Sequence, residues 1–260
     1  MWTWGIYNLF KNGLLRYLLA TLNPNESGRA ALIGGAFALC IILPYLLGSI
    51  NWAIVISRVF YHDDIRKHGS GNAGATNMLR TYGLKAAIPT FLGDGLKGVV
   101  SILIAAAIFG HPDSELYFIY NVAACYMAAF FAILGHVFPC FYHFKGGKGF
   151  ASTSLCILVL NPAIFAILIF VFFPLVIGTR YVSLGSVVSA LCYPVFLSSF
   201  DMARENPYGF SVLFAFLIAM LITWAHRGNL KRIMDRTERK ISFGKKTAGA
   251  PADNGETPKE

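Results

Sequence analysis

Five stretches of this chain contain no Asp, Glu, Lys or Arg: residues 30–57, 116–144, 149–179, 181–200 and 206–226. A helix that crosses a bilayer needs about 20 such residues. A sixth apolar block, residues 86–110, is interrupted only by Asp94 and Lys97. A soluble chain of 260 residues has no use for so many blocks of that length. The block 149–179 is too long for one spanning helix and too short for two full ones. Asn161-Pro162 stands in its middle, where proline ends or kinks a helix. The pattern therefore predicts an all-α polytopic membrane protein with about seven transmembrane helices. They fall near 31–57, 86–109, 117–139, 150–160, 162–178, 184–199 and 208–225. Pro44, Gly48 and Ser49 are expected to kink the lower half of the first.

The two ends read differently. Residues 1–29 form an extension in which Trp2, Trp4, Tyr7, Phe10 and Tyr17 mix with Lys11 and Arg16 ahead of the polar break Asn23-Pro24-Asn25-Glu26. That mixture suits a helix lying in the membrane interface. No small-residue cleavage site precedes the break, which argues against a signal peptide. Residues 30–243 are expected to form the membrane domain. Residues 244–260, rich in Lys, Thr, Gly, Ala, Pro, Asp and Glu, read as a disordered cytoplasmic tail.

Composition sharpens the picture. The chain is 56% apolar and 13% charged, against about 25% charged in soluble proteins. Its net charge of +9 is unevenly spread. Arg58, Arg66, Lys67, Arg80 and Lys85 lie between the first two blocks, Lys145 and Lys148 between the third and fourth, and Arg227, Lys231, Arg232, Arg236, Arg239 and Lys240 after the last. The remaining connections hold Asp113 with Glu115, and Asp201 with Arg204 and Glu205. Basic connections stay in the cytoplasm, so the N-terminus is expected outside and the C-terminus inside. Lys11, Arg16 and Arg29 run against that rule. Topology explains the basic tail without a nucleic-acid partner. The five cysteines lie in or beside apolar blocks with no CxxC or metal spacing, and read as small buried apolar residues. No cofactor or metal is expected.

The unusual residues gather in the basic connections. The first holds Gly69, Ser70, Gly71, Asn72, Gly74, Thr76, Asn77 and Arg80. Its glycines let backbone N–H groups turn toward one point, the neutral side chains add donors, and Arg80 adds a bidentate cation. That is a recipe for an oxyanion or phosphate cradle, although it lacks the Walker A spacing. A plain flexible loop is the bland alternative. The second connection reads Lys145-Gly146-Gly147-Lys148-Gly149, two cations across two glycines, again suited to phosphate at a helix start. A topological anchor would explain its lysines but not its glycines. The third is split between Ser183-Leu184-Gly185-Ser186 and His226-Arg227-Gly228-Asn229, where His226 and Asn229 share a helical face. Asp94 and Lys97, spaced i, i+3, should pair inside the apolar block as structural support or a substrate-facing element. Three glycine-and-cation loops on one side suggest phosphorylated substrates at a membrane edge, and so phospholipid synthesis.

With these motifs in place, residues 32–243 resemble the bacterial integral-membrane acyl-phosphate:glycerol-3-phosphate acyltransferases, the PlsY family. The resemblance rests on Gly69 to Arg80, on Gly135-His136 through Gly149, and on Ser183 to Ser186 with His226 to Asn229. It implies seven helices in a bacterial cytoplasmic (inner) membrane. It also implies transfer of a fatty acyl group from acyl phosphate to the sn-1 hydroxyl of glycerol 3-phosphate, giving lysophosphatidic acid and phosphate, the first committed step of phospholipid synthesis. The site would face the cytoplasm, and no obligatory protein partner is implied. By the same resemblance Ser70, Arg80, Lys145, Ser183, His226 and Asn229 are the candidate catalytic residues. Gly69, Gly71, Asn72, Gly74, Thr76, Asn77, Gly146, Gly147 and Lys148 are the candidate phosphate-binding ones. Arg80 and Lys145 would clamp phosphate, and His226 with Asn229 would hold glycerol 3-phosphate. The sequence departs from the family where Gly-Ser-Ile-Pro becomes Gly48-Ser49-Ile50-Asn51, where Val-Ala-Thr becomes Phe150-Ala151-Ser152-Thr153, and in its aromatic extension.

Two other readings are weighed. An acyl-CoA-dependent acyltransferase commonly carries His-x-x-x-x-Asp. Here the residues five after each histidine are Lys67, Ala73, Leu116, Phe141, Lys148 and Lys231. A transporter of a phosphorylated metabolite would favour internal repeats and midplane sites, whereas these candidates cluster at one edge and no repeat is visible.

Overall fold

The computed structural model describes residues 13–110, 115–203 and 209–241, and within them the chain is helical. The order is α1 (Gly13–Leu22), α2 (Glu26–Gly48), α3 (Trp52–Tyr61), α4 (Ala75–Tyr82), α5 (Leu84–Phe109), α6 (Glu115–Val137), α7 (Phe150–Leu160), α8 (Pro162–Thr179), α9 (Val182–Ala203), α10 (Phe210–Ala225) and α11 (Arg227–Met234). Five segments are long and apolar enough to cross a membrane: 26–61, 84–109, 119–142, 162–179 and 182–202. A sixth is added if α10 and α11, bent by 54°, form one span. The expected seventh, α7, has 11 residues, roughly 16 Å at 1.5 Å per residue, half of a hydrocarbon core.

Helices α2, α5 and α6 pack as one group, with α9 and α10 beside them. Ala124, Ala128 and Ala132 recur every four residues along α6 and are completely buried. Small residues at that spacing let helix backbones approach closely, which drives association where the surrounding lipid is as apolar as the side chains. Helices α8 and α9 carry exposed Phe170, Ile177 and Val195, as a lipid-facing surface should. Cys40, Cys125 and Cys156 are buried, as the sequence suggests, whereas Cys140 and Cys192, expected to be buried too, are only half-buried. Leu15 of α1 is buried against the same core, so the described part of the N-terminal extension docks on the bundle. Residues 1–12 and the tail expectation for 244–260 lie outside the described residues.

Two breaks needed satisfying inside the apolar layer, where no water completes a free backbone group. At 161–162 the side-chain amide of Asn161 donates to the hydroxyls of Tyr126 (2.6 Å) and Tyr193 (3.2 Å). The expected pair of short helices forms there with almost the predicted limits. The other break sharpens an expectation. The span 26–61 is interrupted beside the expected Gly48-Ser49 kink, where the chain opens at Ser49-Ile50-Asn51 and gives two helices, while Pro44 sits inside continuous α2. Asn51 caps α3 by accepting from Ile54 N–H (3.1 Å), the role Asn plays best at a helix start. Its amide also donates to the Ala73 carbonyl (3.2 Å). Lys97 closes the other side, donating to the Gly48 (2.8 Å) and Ile50 (2.6 Å) carbonyls.

Candidate functional site

The connection 62–74 owes its shape to a few polar ties. Asp64 accepts from Arg58 (3.1 Å) and Arg66 (2.7 Å), which lowers its carboxyl well below the ordinary range. Arg58 of α3 and Arg66 of the loop are thereby engaged with Asp64, and neither lines the cavity. Asn77 is buried and stitches the turn together, donating to the His68 (3.0 Å) and Ile65 (3.3 Å) carbonyls while accepting from Ser70 N–H (3.0 Å). Gly69 makes that turn at φ +58, and a Cβ there would strike the Asn77 oxygen. The sequence reading treats 58–84 as loop, yet residues 75–82 are helix. Its N-terminus begins at Gly74 with no side-chain cap. Thr76 and Arg80 are four apart and share a face.

These elements wall a cavity of about 390 Å³. Loop one and α4 contribute Gly69, Ser70, Asn72, Gly74, Thr76, Asn77 and Arg80. The third region contributes Ser183, His226 and Asn229, and Lys148 comes from the second. Eleven of the fifteen candidates thus meet in one place. Gly71, Gly146, Gly147 and Lys145 do not line it. Lys145 is exposed. Gly147 is buried against the His136 ring and the Ala73 carbonyl, leaving no room for a Cβ, and its N–H donates to the His136 carbonyl (3.1 Å). This glycine serves loop packing, which aims Lys148 rather than Lys145 inward.

Lys148 Nζ donates to Asn229 Oδ1 (2.5 Å), and Asn229 Nδ2 to Glu238 Oε1 (2.6 Å). Ser183 (2.9 Å) and Arg232 (2.8 Å) also donate to Glu238. Burial alone would raise the Glu238 carboxyl, but these three donors outweigh it and hold it below the ordinary value. Burial, helped by Arg232 and Arg80 and opposed by Glu238, brings the Lys148 ammonium down to about 8. Arg80 donates to the Arg239 carbonyl (3.2 Å). Glu238 and Arg232 belong to the cavity wall and were not anticipated. Only their place in a charged segment after the last apolar block hinted at them. His226 is buried at the bend between α10 and α11, and its Nδ1 meets the Ile222 carbonyl at 2.8 Å. A carbonyl only accepts, so Nδ1 carries the proton and Nε2 keeps a free lone pair.

The cavity adjoins a second of about 350 Å³, lined almost entirely by apolar groups of α7, α8, α9 and α10. Phe91, Phe150 and Ser186 line both. On two helices the change from apolar to polar takes about one turn: Phe91 to Asp94, and Ile222 to His226.

A family profile described as glycerol-3-phosphate acyltransferase matches residues 38–236. A glycerol-3-phosphate acyltransferase of Clostridioides difficile (strain 630) is 39% identical over 209 residues, covering 79% of this chain and 96% of its own. One of Bacillus cereus (strain G9842) is 39% identical over 208 residues, covering 80% and 96%. The crystal structure of PlsY, an integral membrane glycerol 3-phosphate acyltransferase, in its glycerol 3-phosphate form superposes with a TM-score of 0.68 at 29% identity. It covers 79% of this chain and 96% of that one. The lysophosphatidic acid form gives 0.66 at 28%, covering 79% and 95%. With profile, relatives and architecture in agreement over most of the chain, this chain belongs to the glycerol-3-phosphate acyltransferase family.

Proposed function

We propose that this protein transfers a fatty acyl group from an acyl phosphate to the sn-1 hydroxyl of glycerol 3-phosphate, at the cytoplasmic face of a bacterial inner membrane. The observation that carries the reading is the abrupt boundary between the two cavities. A polar chamber edged with Arg80, Lys148 and the open N-terminus of α4 suits phosphate. The apolar chamber suits an acyl chain. The reacting carbonyl then belongs at the junction beside Phe91, Phe150 and Ser186. The basic connections around the polar chamber favour a cytoplasmic orientation, with the N-terminus outside and the C-terminus inside.

Acyl phosphate is a mixed anhydride with a good leaving group, so alignment and charge stabilisation are the main demands on the protein. The sn-1 oxygen bonds to the carbonyl carbon, the bond from that carbon to the phosphate oxygen breaks, and the hydroxyl proton ends on the departing phosphate. Arg80 and Lys148 hold phosphate, and Ser70 adds a hydroxyl at the mouth. The free lone pair of His226 Nε2 accepts from the attacking hydroxyl and orients it, while Asn229 is fixed between Lys148 and Glu238. Lys145, exposed outside the cavity, has no assigned part in this scheme.

The donor is tested with purified protein, labelled glycerol 3-phosphate, and palmitoyl phosphate or palmitoyl-CoA in parallel. Lysophosphatidic acid is expected with the acyl phosphate alone. Product only with the thioester would replace the donor, and uptake into proteoliposomes without conversion would favour transport.

A pH dependence follows from Lys148. A group lowered to about 8 is cationic below that pH and loses its charge as the pH rises through it. A phosphate monoester is dianionic above about pH 6. The KM for glycerol 3-phosphate is therefore expected to be lowest between about pH 6 and 8 and to climb above 8 by up to roughly tenfold per unit. Lys148→Arg, always charged, should remove the alkaline rise. An unchanged alkaline limb in that variant would rule Lys148 out as its source.

A further inference from the structure

The floor of the polar cavity holds a carboxylate, opposite in charge to Arg80 and Lys148 in its walls. Asp94 and His136 line it there, one turn of α5 from Phe91 at the junction. Asp94 is 1% exposed. Lys97 Nζ (3.1 Å), Trp52 N–H (3.2 Å) and His136 Nδ1 (3.4 Å) all meet its Oδ1. The need of buried Lys97 for a counter-ion is met through that one oxygen. The other, Oδ2, has no such tie among the described residues, and it is the oxygen left for the cavity. A carboxylate is a poor neighbour for phosphate and a good acceptor for a hydroxyl.

We propose that Asp94 is a specificity residue that accepts a hydrogen bond from the sn-2 hydroxyl of the acceptor. The inference rests on the reading above, in which the polar cavity takes glycerol 3-phosphate. The cations at the wall draw the phosphate outward, and the carboxylate at the floor keeps it from binding in reverse. With the phosphate at Arg80 and Lys148 and the sn-1 oxygen at the junction beside Phe91, the neighbouring sn-2 oxygen is the one that reaches the floor. Lys97 acts as a positioning residue. Its ammonium also contacts His136 Nδ1 (2.9 Å), fixing the imidazole and the carboxylate against the α2–α3 break.

The test compares glycerol 3-phosphate with 3-hydroxypropyl phosphate, which lacks the sn-2 hydroxyl, using palmitoyl phosphate as donor. The unmodified protein is expected to prefer glycerol 3-phosphate in kcat/KM by about 10- to 150-fold, the range for one hydrogen bond to a charged group. Asp94→Asn should lose most of that preference by falling on glycerol 3-phosphate alone, with the KM for palmitoyl phosphate unchanged. Asp94→Glu keeps the charge beside Lys97 but displaces the oxygens, and should lose the preference too, so the test survives poor folding of the asparagine variant. A merely structural Asp94 would lower both acceptors by the same factor, and that result overturns the proposal. Equal rates for the two acceptors in the unmodified protein would overturn it as well, while leaving the acyl-transfer reading intact. No product from glycerol 3-phosphate at all would remove that reading and this proposal together.

Discussion

Arg80→Ala is expected to lower kcat/KM for acyl transfer by about 10²–10³-fold, the usual loss when one preorganised donor is removed from a charge-stabilising site. The size follows from its setting. Arg80 is half-buried on the cavity face of α4, and partial screening from water there strengthens each charge-assisted bond it makes to phosphate. The competing explanation, loss of fold, is weak. The side chain's described tie is a 3.2 Å bond to the Arg239 carbonyl in an exposed setting, so the melting temperature should barely move. Arg80→Lys should recover only part of the activity, because an ammonium keeps the charge without the planar two-pronged donor. Steady-state rates with palmitoyl phosphate, run beside thermal unfolding in the same detergent, separate the two effects. Full activity in Arg80→Ala would remove the phosphate clamp from the scheme.

Arg80 also illustrates what the sequence could and could not reveal. Its place in a cradle was expected from the company of Gly69, Ser70, Asn72 and Asn77 and from the family resemblance, against a plain flexible loop as the alternative, and it does line the cavity. Its helix was not legible. Residues 75–82 are a short, polar segment flanked by glycines, and short helices gain most of their stability from packing that a local pattern cannot report. The long blocks were easier, since burial in lipid demands length and apolarity. The Asn161-Pro162 break was visible in its proline. The α2–α3 break was visible only as a kink at Gly48 and Ser49, because its full opening depends on Lys97, which lies 46 residues beyond Asn51 in sequence. Glu238 was missed for a similar reason. A glutamate in a basic, polar segment looks solvated until Ser183, Asn229 and Arg232 are seen to converge on it. The lysines of the second loop were legible as a pair, but the choice between them was not. It turns on Gly147 fitting against His136, a contact between residues 11 apart that aims one lysine inward and leaves the other outside.

Lys97→Met should be the most destabilising single change in the cavity floor. Methionine fills similar space but supplies no donor and no charge. It leaves the Asp94 carboxylate without its 3.1 Å partner and frees the Gly48 and Ile50 carbonyls at a break inside the apolar layer. Removing one member of a buried ion pair costs about 3–5 kcal/mol, since the remaining charge stays desolvated. At about 2–4 °C per kcal/mol for a chain of this size, the midpoint should fall by roughly 10 °C. Buried Cys40, Cys125 and Cys156 provide the readout, because a thiol-reactive dye labels them only as the bundle opens. The double variant Asp94→Asn/Lys97→Met removes the stranded charge and should regain part of the loss, a coupling expected of residues in contact. It should not regain all of it, because the two carbonyls at the break remain without a donor. If Lys97→Met melts with the unmodified protein, then water or a rearranged side chain closes the break. The membrane floor of the site would in that case be wetter than its side-chain geometry implies. If the double variant melts lower than the single one, Asp94 is held by Trp52 and His136 strongly enough to stand without its lysine. The i, i+3 pair would then be two independent supports rather than one.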